Sequence, residues 1–332
     1  HDRELAGEPP GNVDAPCGTG SSHRLRYVVT TFRSFATSAG TVAYAEWLPG
    51  GPARATVLLV HGGGVGPGGW SRAIGGRPGW APRLAEAGYR AVVMTWPGLS
   101  AGGAWDPDTP LDGAAVAGAI VELIAALGGP VVLVVHSMSA AFGYRVAFHH
   151  RDSLIALVAL APAPPGDIQP EPAVLEEDAD HIVVQGRPLT WRLPRRGWWH
   201  PGPEFIEAKL VGASEQFPPG HLDELRSQLV PIPAGLLLER QNVRGAQVHI
   251  GDRELDGLPT LVMVGTHDTD HPIESDRATA DWLAERGGDV RFVALTAANV
   301  AGNGHMLMQE SNSDAVLNLV TEWLGPNVRP RR

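Results

Sequence analysis

A single cysteine, Cys17, stands among 332 residues, so no disulfide can close within the chain and cysteine usage names no redox compartment. No apolar run reaches the ~18–20 residues that a membrane-spanning helix needs. Positive charge is sparse and scattered: 26 Lys and Arg stand against 36 Asp and Glu, a formal charge of −10, which disfavours a nucleic-acid partner or an anionic membrane surface. The one basic run, Arg329, Arg331 and Arg332 around Pro330, reads as a solvated terminus. No period of about 20–50 residues repeats, so solenoids and propellers drop out. No signal peptide is visible, since the chain opens at His1 on acidic, Pro- and Gly-rich residues. That points to a cytoplasmic protein, while a start without Met leaves export before trimming open.

What is present is a chain that is 43% apolar, long enough for one large α/β unit with an insertion or for two domains. Residues 1–24 are polar and rich in Gly, Pro and Ser, and are expected to form an N-terminal arm. Short apolar runs then alternate with helix-like segments, the pattern of a mostly parallel sheet with helices on both faces. Eight strands are expected: Leu25–Phe32, Thr41–Trp47, Thr56–Val60, Tyr89–Thr95, Val131–Val135, Leu154–Leu160, Thr260–Val264 and Val290–Leu295. Helices are expected at Trp80–Ala87, Leu111–Leu127, Met138–His149, Asp276–Arg286 and Asp314–Leu324. The runs VVLVV and TLVMV are continuously apolar, as strands covered on both faces are, and are therefore central. Between Pro162 and Leu258 the alternation fails in favour of Pro, charge and aromatics, with helical patches only at Glu204–Val211 and Leu222–Leu229. Some 95 residues are too many for an ordinary connection. The expected organisation is a core from 25–161 and 259–326, with 162–258 as a cap or lid.

Four stretches carry chemistry. In PVVLVVHSMSAAFGYRVAF, residues 130–148, a buried strand gives way abruptly to a helix at two serines. Such a corner lifts a hydroxyl above the end of a sheet beside a free backbone N–H and a helix dipole, provided the residues two before and two after are small. Two registers compete. Strand length favours Ser137, although its flank Val135 breaks the small-residue rule; Ser139 has obedient flanks, Ser137 and Ala141, but lies further from the strand. The bland alternative is a helix-capping serine. In VLLVHGGGVGPGGW, residues 57–70, a strand ends in glycines that bare backbone N–H groups, as an oxyanion hole requires. The same run matches G-x-G-x-x-G from Gly64 to Gly69, but Pro67 opens no helix and no ribose-reading residue follows the next strand, so a dinucleotide site is disfavoured. No G-K-[ST] follows, which excludes a Walker loop.

In AGNGHMLMQESNSDAVLNLVTEWL, residues 301–324, Gly302, Asn303 and Gly304 put His305 on a loop past the last strand, where an imidazole can reach across a sheet edge and shuttle protons. In PTLVMVGTHDTDHP, residues 259–272, a central strand runs into a loop offering Asp268 and, in reserve, Asp270 to orient that histidine. The run from His267 to His271 also has the look of a metal site, but adjacent loop residues rarely converge on one ion. No metal and no cofactor are expected. Trp191, Trp198, Trp199, Phe205 and Phe217 either line an apolar pocket or pack the cap onto the body. Of these Trp191, Trp198 and Trp199, together with His136, are the candidate substrate contacts.

With HGGG at 61–64, VHSMS at 135–139, GTHD at 265–268 and NGHMLMQE at 303–310, in the order Ser, acid, His, the chain resembles the α/β-hydrolase superfamily, in its serine esterase and lipase branch. The spacings of 131 residues from Ser137 to Asp268 and 37 from there to His305 match, as do GRPGW at 76–80 and AGYRAVVMTWPG at 87–98. The resemblance covers about residues 25–325 and implies an eight-stranded, mostly parallel sheet. It implies Ser137 as nucleophile, His305 as base, Asp268 as orienting acid, and oxyanion donors at Met138 and at Gly63 or Gly64. It departs at Val135, where relatives carry glycine, and at Ala161 and Pro162, where some relatives place their acid. A serine at the elbow, rather than an aspartate, is unlike the haloalkane dehalogenase and epoxide hydrolase branches. The expected reaction is hydrolysis of a carboxylic ester or lactone through an acyl-enzyme; the alternative is a lyase, acyltransferase or cyclase using the same pocket. The expected partner is a small-molecule substrate, with a homodimer left open.

Overall fold

The computed structural model describes residues 27–328 apart from Pro107 and Pro110. The expected arm at 1–24 and the basic tail lie outside the described residues. The strands of the main sheet are β1 (Tyr27–Val29), β2 (Arg33–Thr37), β3 (Gly40–Pro49), β4 (Thr56–Val60), β5 (Arg90–Met94), β6 (Val131–His136), β7 (Leu154–Leu160), β8 (Pro259–Val264) and β9 (Asp289–Ala294). Their order is β1-β3-β5-β4-β6-β7-β8-β9, with β2 also on β3. Every pairing from β5 through to β9 is parallel, and β1, β2 and β5 run antiparallel to β3. The fold is that of an α/β hydrolase, as the sequence leads one to expect.

The one difference in the sheet is at its edge. Eight strands are expected where nine occur, because β1 pairs with Trp47–Pro49 and β2 with Gly40–Tyr44, two pieces of one edge strand broken near Phe32. Arg33–Thr37 is largely exposed, so no buried apolar run announces it.

The centre of the sheet is made by β-branched residues that pack on both faces. All six residues of β6 are buried, and Val57–Val60 and Leu261–Val264 are nearly as shut off from water. Around them lie α1 (Trp80–Glu86), α2 (Gly113–Ala126), α3 (Ala140–His149), α4 (Ile273–Glu285) and α5 (Ser313–Asn327). Helix α2 packs on α3, α1 on α5, and α4 on β8 and β9. The α2 start is capped by Asp112, whose carboxylate accepts the Ala115 N–H at 2.7 Å.

Residues 162–258 build something different. A three-stranded antiparallel ladder joins Val174–Glu177, His181–Val184 and Trp191–Pro194, and a two-residue bridge joins Trp198–Trp199 to Ile232–Pro233. The patches expected to be helical appear as a π-helical stretch at Phe205–Val211 and a short α-helix at Leu222–Ser227; a further helix, Ala234–Arg240, gives no sequence warning. This segment is stitched to the loops at the strand ends, with the Val230 N–H donating to Gly64 O at 3.1 Å and the Glu215 N–H to Gly302 O at 2.8 Å.

Candidate active site

Strand β6 ends at His136, and the chain turns through a single 3-10 turn, Ser137–Ser139, into α3. Ser137 takes a φ of +53°, a left-handed conformation that a serine adopts only when its surroundings impose it. The turn is held by the other serine. Ser139 Oγ accepts the His136 N–H at 2.9 Å and lies 3.0 Å from His136 O and 3.2 Å from Val60 O. One hydroxyl therefore fastens the corner while the other is left to face outward.

Val135, the side chain that breaks the small-residue pattern, is accommodated from the helix side. A Cβ placed on Gly143, one turn into α3, would lie 3.0 Å from Val135 Cγ1 and 3.3 Å from Cγ2. The glycine that the strand lacks is supplied by the helix, so the corner closes with a valine beneath it.

His305 comes to this corner from the loop before α5. Its Nε2 lies 3.1 Å from Ser137 Oγ and its Nδ1 lies 2.8 Å from Asp268 Oδ2. The other Asp268 oxygen accepts the N–H groups of Asp270 at 2.9 Å and His271 at 3.0 Å. Burial pushes the Asp268 carboxyl upward, but the facing His305 more than offsets this and leaves it below the usual carboxylate range. Burial lowers the His305 imidazole below its ordinary value; Asp268 opposes that, while the positive charge of Lys209 and His271 reinforces it. At neutral pH the ring is a free base.

The loop carrying His305 is pinned by residues that the sequence did not single out. The Glu310 carboxylate accepts the Gly304 N–H at 2.7 Å, Asn303 Nδ2 at 2.6 Å and Ser214 Oγ at 2.5 Å. Gln309 ties the same loop to the glycine-rich loop after β4, accepting the Ile74 N–H at 3.0 Å and donating to Gly69 O at 2.5 Å. Both residues sit in the quoted NGHMLMQE stretch, and two adjacent polar residues closing an apolar run after a loop histidine are the signal that could have marked them.

Ser137, Gly63 and Met138 line one cavity of about 10 Å³, about the space of one water. The approach is close: a Cβ on Gly63 would sit 2.6 Å from Met138 Sδ. Gly64 lies outside that lining, behind Phe205, whose ring a Cβ there would meet at 2.8 Å. The remaining walls come from residues 191–241, with Trp191, Phe205, Ile232 and Leu237 apolar and Lys209, Arg240 and Gln241 polar.

The four expected substrate contacts separate. Trp191 is in the cavity wall; Trp199 packs on it at a tilt, 5.3 Å between ring centres, and lines an outer cavity of about 410 Å³. Trp198 is not part of that wall: it packs at a tilt on Trp105 at 4.9 Å and belongs to the Trp198–Trp199 bridge. His136 is corrected as well. It is buried beneath the site, its Nε2 3.0 Å from His305 O, because the strand pleat turns it away from the cavity. Burial and the neighbouring His305 hold its ring well below the ordinary pKa, and so neutral. His61, in the HGGG run, likewise packs inward on Trp96 at 4.7 Å, and burial takes it down to about 4.

While Asp268 takes Nδ1 of His305, the reserve carboxylate, Asp270, is engaged by other partners. Its Oδ2 binds Lys209, lies 2.9 Å from His271 Nε2 and accepts Arg240 at 3.3 Å. Asp270 and the Asp276 carboxylate, 3.1 Å from His271 Nδ1, override the lowering effect of burial and raise His271 to about 9, so it is a cation at neutral pH. Asp270, His271 and His305 offer ligand atoms within 4.8 Å of one another. That carboxylate is already wrapped by Lys209 and Arg240, which a metal cation would have to displace.

Residues 57–319 match the alpha/beta hydrolase family. The chain belongs to the alpha/beta hydrolase family. A fungal protein named a probable secreted lipase is 26% identical to this alpha/beta hydrolase over 205 residues, 59% of this chain and 46% of its own, so the chain spans about half the length of that curated relative. A serine hydrolase involved in carbazole degradation superposes with a TM-score of 0.57 at 20% identity, over 90% of this chain and 99% of its own. A putative epoxide hydrolase from Pseudomonas aeruginosa does so with a TM-score of 0.57 at 22% identity, over 90% and 96%. Two chemistries share this frame equally well, so the frame does not select between them. Among the described residues of this alpha/beta hydrolase, no helix is long and apolar enough to cross a membrane.

Proposed function

We propose that this alpha/beta hydrolase cleaves a carboxylic ester or lactone through an acyl-enzyme, with Ser137 as nucleophile, His305 as general base and Asp268 as the acid that orients it. The observation that carries the reading is the unbroken line from Asp268 Oδ2 to His305 Nδ1 at 2.8 Å and from His305 Nε2 to Ser137 Oγ at 3.1 Å. In the first step Oγ bonds to the acyl carbon as its proton passes to His305 Nε2. The C–O bond to the alcohol then breaks, and the imidazolium gives that proton to the leaving oxygen. Water repeats the sequence and frees the acid and Ser137. The N–H groups of Met138 and Gly63 are the oxyanion donors in this scheme, supported by their place beside Ser137 in one cavity. Residues 162–258 act as the cap, supplying most of the cavity wall. A hydroxyl at the elbow, rather than a carboxylate, favours ester cleavage over epoxide opening.

The test is covalent labelling with a fluorophosphonate, with the modified residue located by mass spectrometry, alongside p-nitrophenyl acetate turnover. Ser137 takes the label, and Ser137→Ala lowers turnover by about 10⁴ or more. Ser139→Ala keeps the label at Ser137. Equal turnover by wild type and Ser137→Ala rejects the assignment.

A further inference from the structure

The chain contains one lysine, Lys209, and carries a formal charge of −10, yet that lysine and Arg240 both line the cavity at Ser137. Both are more than nine-tenths buried. Burying a cation is costly, and an apolar pair of similar size would fill a wall at less expense. Resting on the serine-esterase reading above, we propose that Lys209 and Arg240 form an anion-recognising subsite. The preferred substrates are esters that carry a carboxylate a few bonds from the scissile carbonyl.

Not every donor of this pair is engaged. Lys209, Arg240 and protonated His271 surround Asp270, and the further carboxylate in direct contact is Asp276, on His271. Asp268 stands behind them as a third carboxylate, held by His305 and two backbone N–H groups, so three cations meet three carboxylates. Of the three cations, Lys209 and Arg240 are the two that line the cavity at Ser137. Arg240 Nε is buried and has no hydrogen-bond partner among the described residues, an unmet donor at the cavity wall.

The surroundings set a direction for the ligand. Arg240 and Gln241 are shared with an outer cavity of about 430 Å³ that also holds Arg187, with prolines and polar side chains making up much of the rest and Glu171 its one further carboxylate beyond Asp270. On another side Trp191 and Phe205 are shared with the outer cavity that Trp199 lines. An ester that parts this wall to lie across Ser137 points its acid end to Arg240 and its apolar end to the aromatic wall. A carboxylate there gains charge-assisted hydrogen bonds from buried cations, where they are strong.

Two measurements decide it. In the first, wild type is incubated with the fluorophosphonate in the presence of succinate or of neutral succinamide. Succinate slows labelling of Ser137 at least tenfold more than succinamide does, and Arg240→Gln abolishes that difference whereas Arg240→Lys keeps most of it. In the second, methanol release from monomethyl succinate and dimethyl succinate is compared. Wild type favours the monoanion at least tenfold in kcat/KM, and Lys209→Met reduces that ratio through KM. Labelling of wild type that succinate and succinamide slow equally means that the cations are a structural ion network only, and overturns the subsite while leaving the esterase reading intact. Absence of any label on Ser137 rejects the underlying reading itself. The wild-type comparison stands even if a variant fails to fold.

Discussion

The sheet and the 162–258 segment divide the work of the site between them. The sheet and its loops bring together Ser137, His305 and Asp268, the groups proposed to react, from the ends of strands buried on both faces. The segment supplies walls, from irregular structure in which even a strand such as Val174–Glu177 is exposed along its length. The lesson is one of tolerance. Reacting atoms need fixed separations, which a close-packed parallel sheet provides, whereas walls need only shape and charge and can be built from bridges and single turns.

Exchanging members of the two acidic pairs tests this division most strongly. Asp268→Asn lowers kcat by roughly 10³–10⁴ with folding intact, because His305 loses its orienting acceptor. Asp270→Asn acts on the other side: it leaves Lys209 and Arg240 buried without their carboxylate and costs roughly 3–5 kcal/mol of stability, seen in chemical denaturation. A large kcat loss with normal stability in the second variant would make Asp270 part of the machinery.

The elbow offers a test within the sheet itself. Gly143→Ala forces a methyl against Val135 and costs about 1–3 kcal/mol in urea unfolding. Adding Val135→Ala recovers much of that loss, and a double-mutant cycle measures the coupling. Purely additive effects would mean that the helix glycine is not what admits the valine.

The pH profile reports on the base. His305 is held below its ordinary value by burial, so kcat/KM is flat at neutral pH and falls with acid through a midpoint under 6.5, about tenfold per unit below it. A midpoint above 6.5 would mean that Asp268 outweighs burial. The smallest expected effect belongs to the segment's walls. Trp191→Ala raises KM roughly three- to tenfold, while Trp198→Ala, which removes a tilted ring contact with Trp105, changes stability and leaves KM within about twofold.

The same division governs what the sequence discloses. VVLVVHS and TLVMVGTHD announce strand, corner and loop because burial on both faces demands unbroken apolar runs and the turn chemistry follows at once. Strand boundaries fall within a few residues of expectation, and the loops bring Ser137, His305 and Asp268 together as the spacing suggests. Three things were hidden because each depends on contacts between distant residues. The split edge strand at Arg33–Thr37 has no buried face to give it a pattern. Gly143 compensates Val135 eight positions away, across a turn that periodicity does not register. The cluster of Lys209 and Arg240 around Asp270 is assembled from three separate stretches, and charge counting along the chain sees only a sparse, scattered set of bases. His136 and Trp198 went wrong for the same reason, since proximity in the chain to a reacting group says nothing about which way a side chain turns.

One consequence of the solitary Lys209 reaches beyond specificity. With a single side-chain amine, sealed between Asp270 and the rings of Trp191 and Phe205, the folded molecule is close to inert towards amine-acylating reagents at its side chains. Any reaction at that nitrogen requires the wall to part, so the speed at which such a reagent modifies it serves as a clock for the breathing of the entrance.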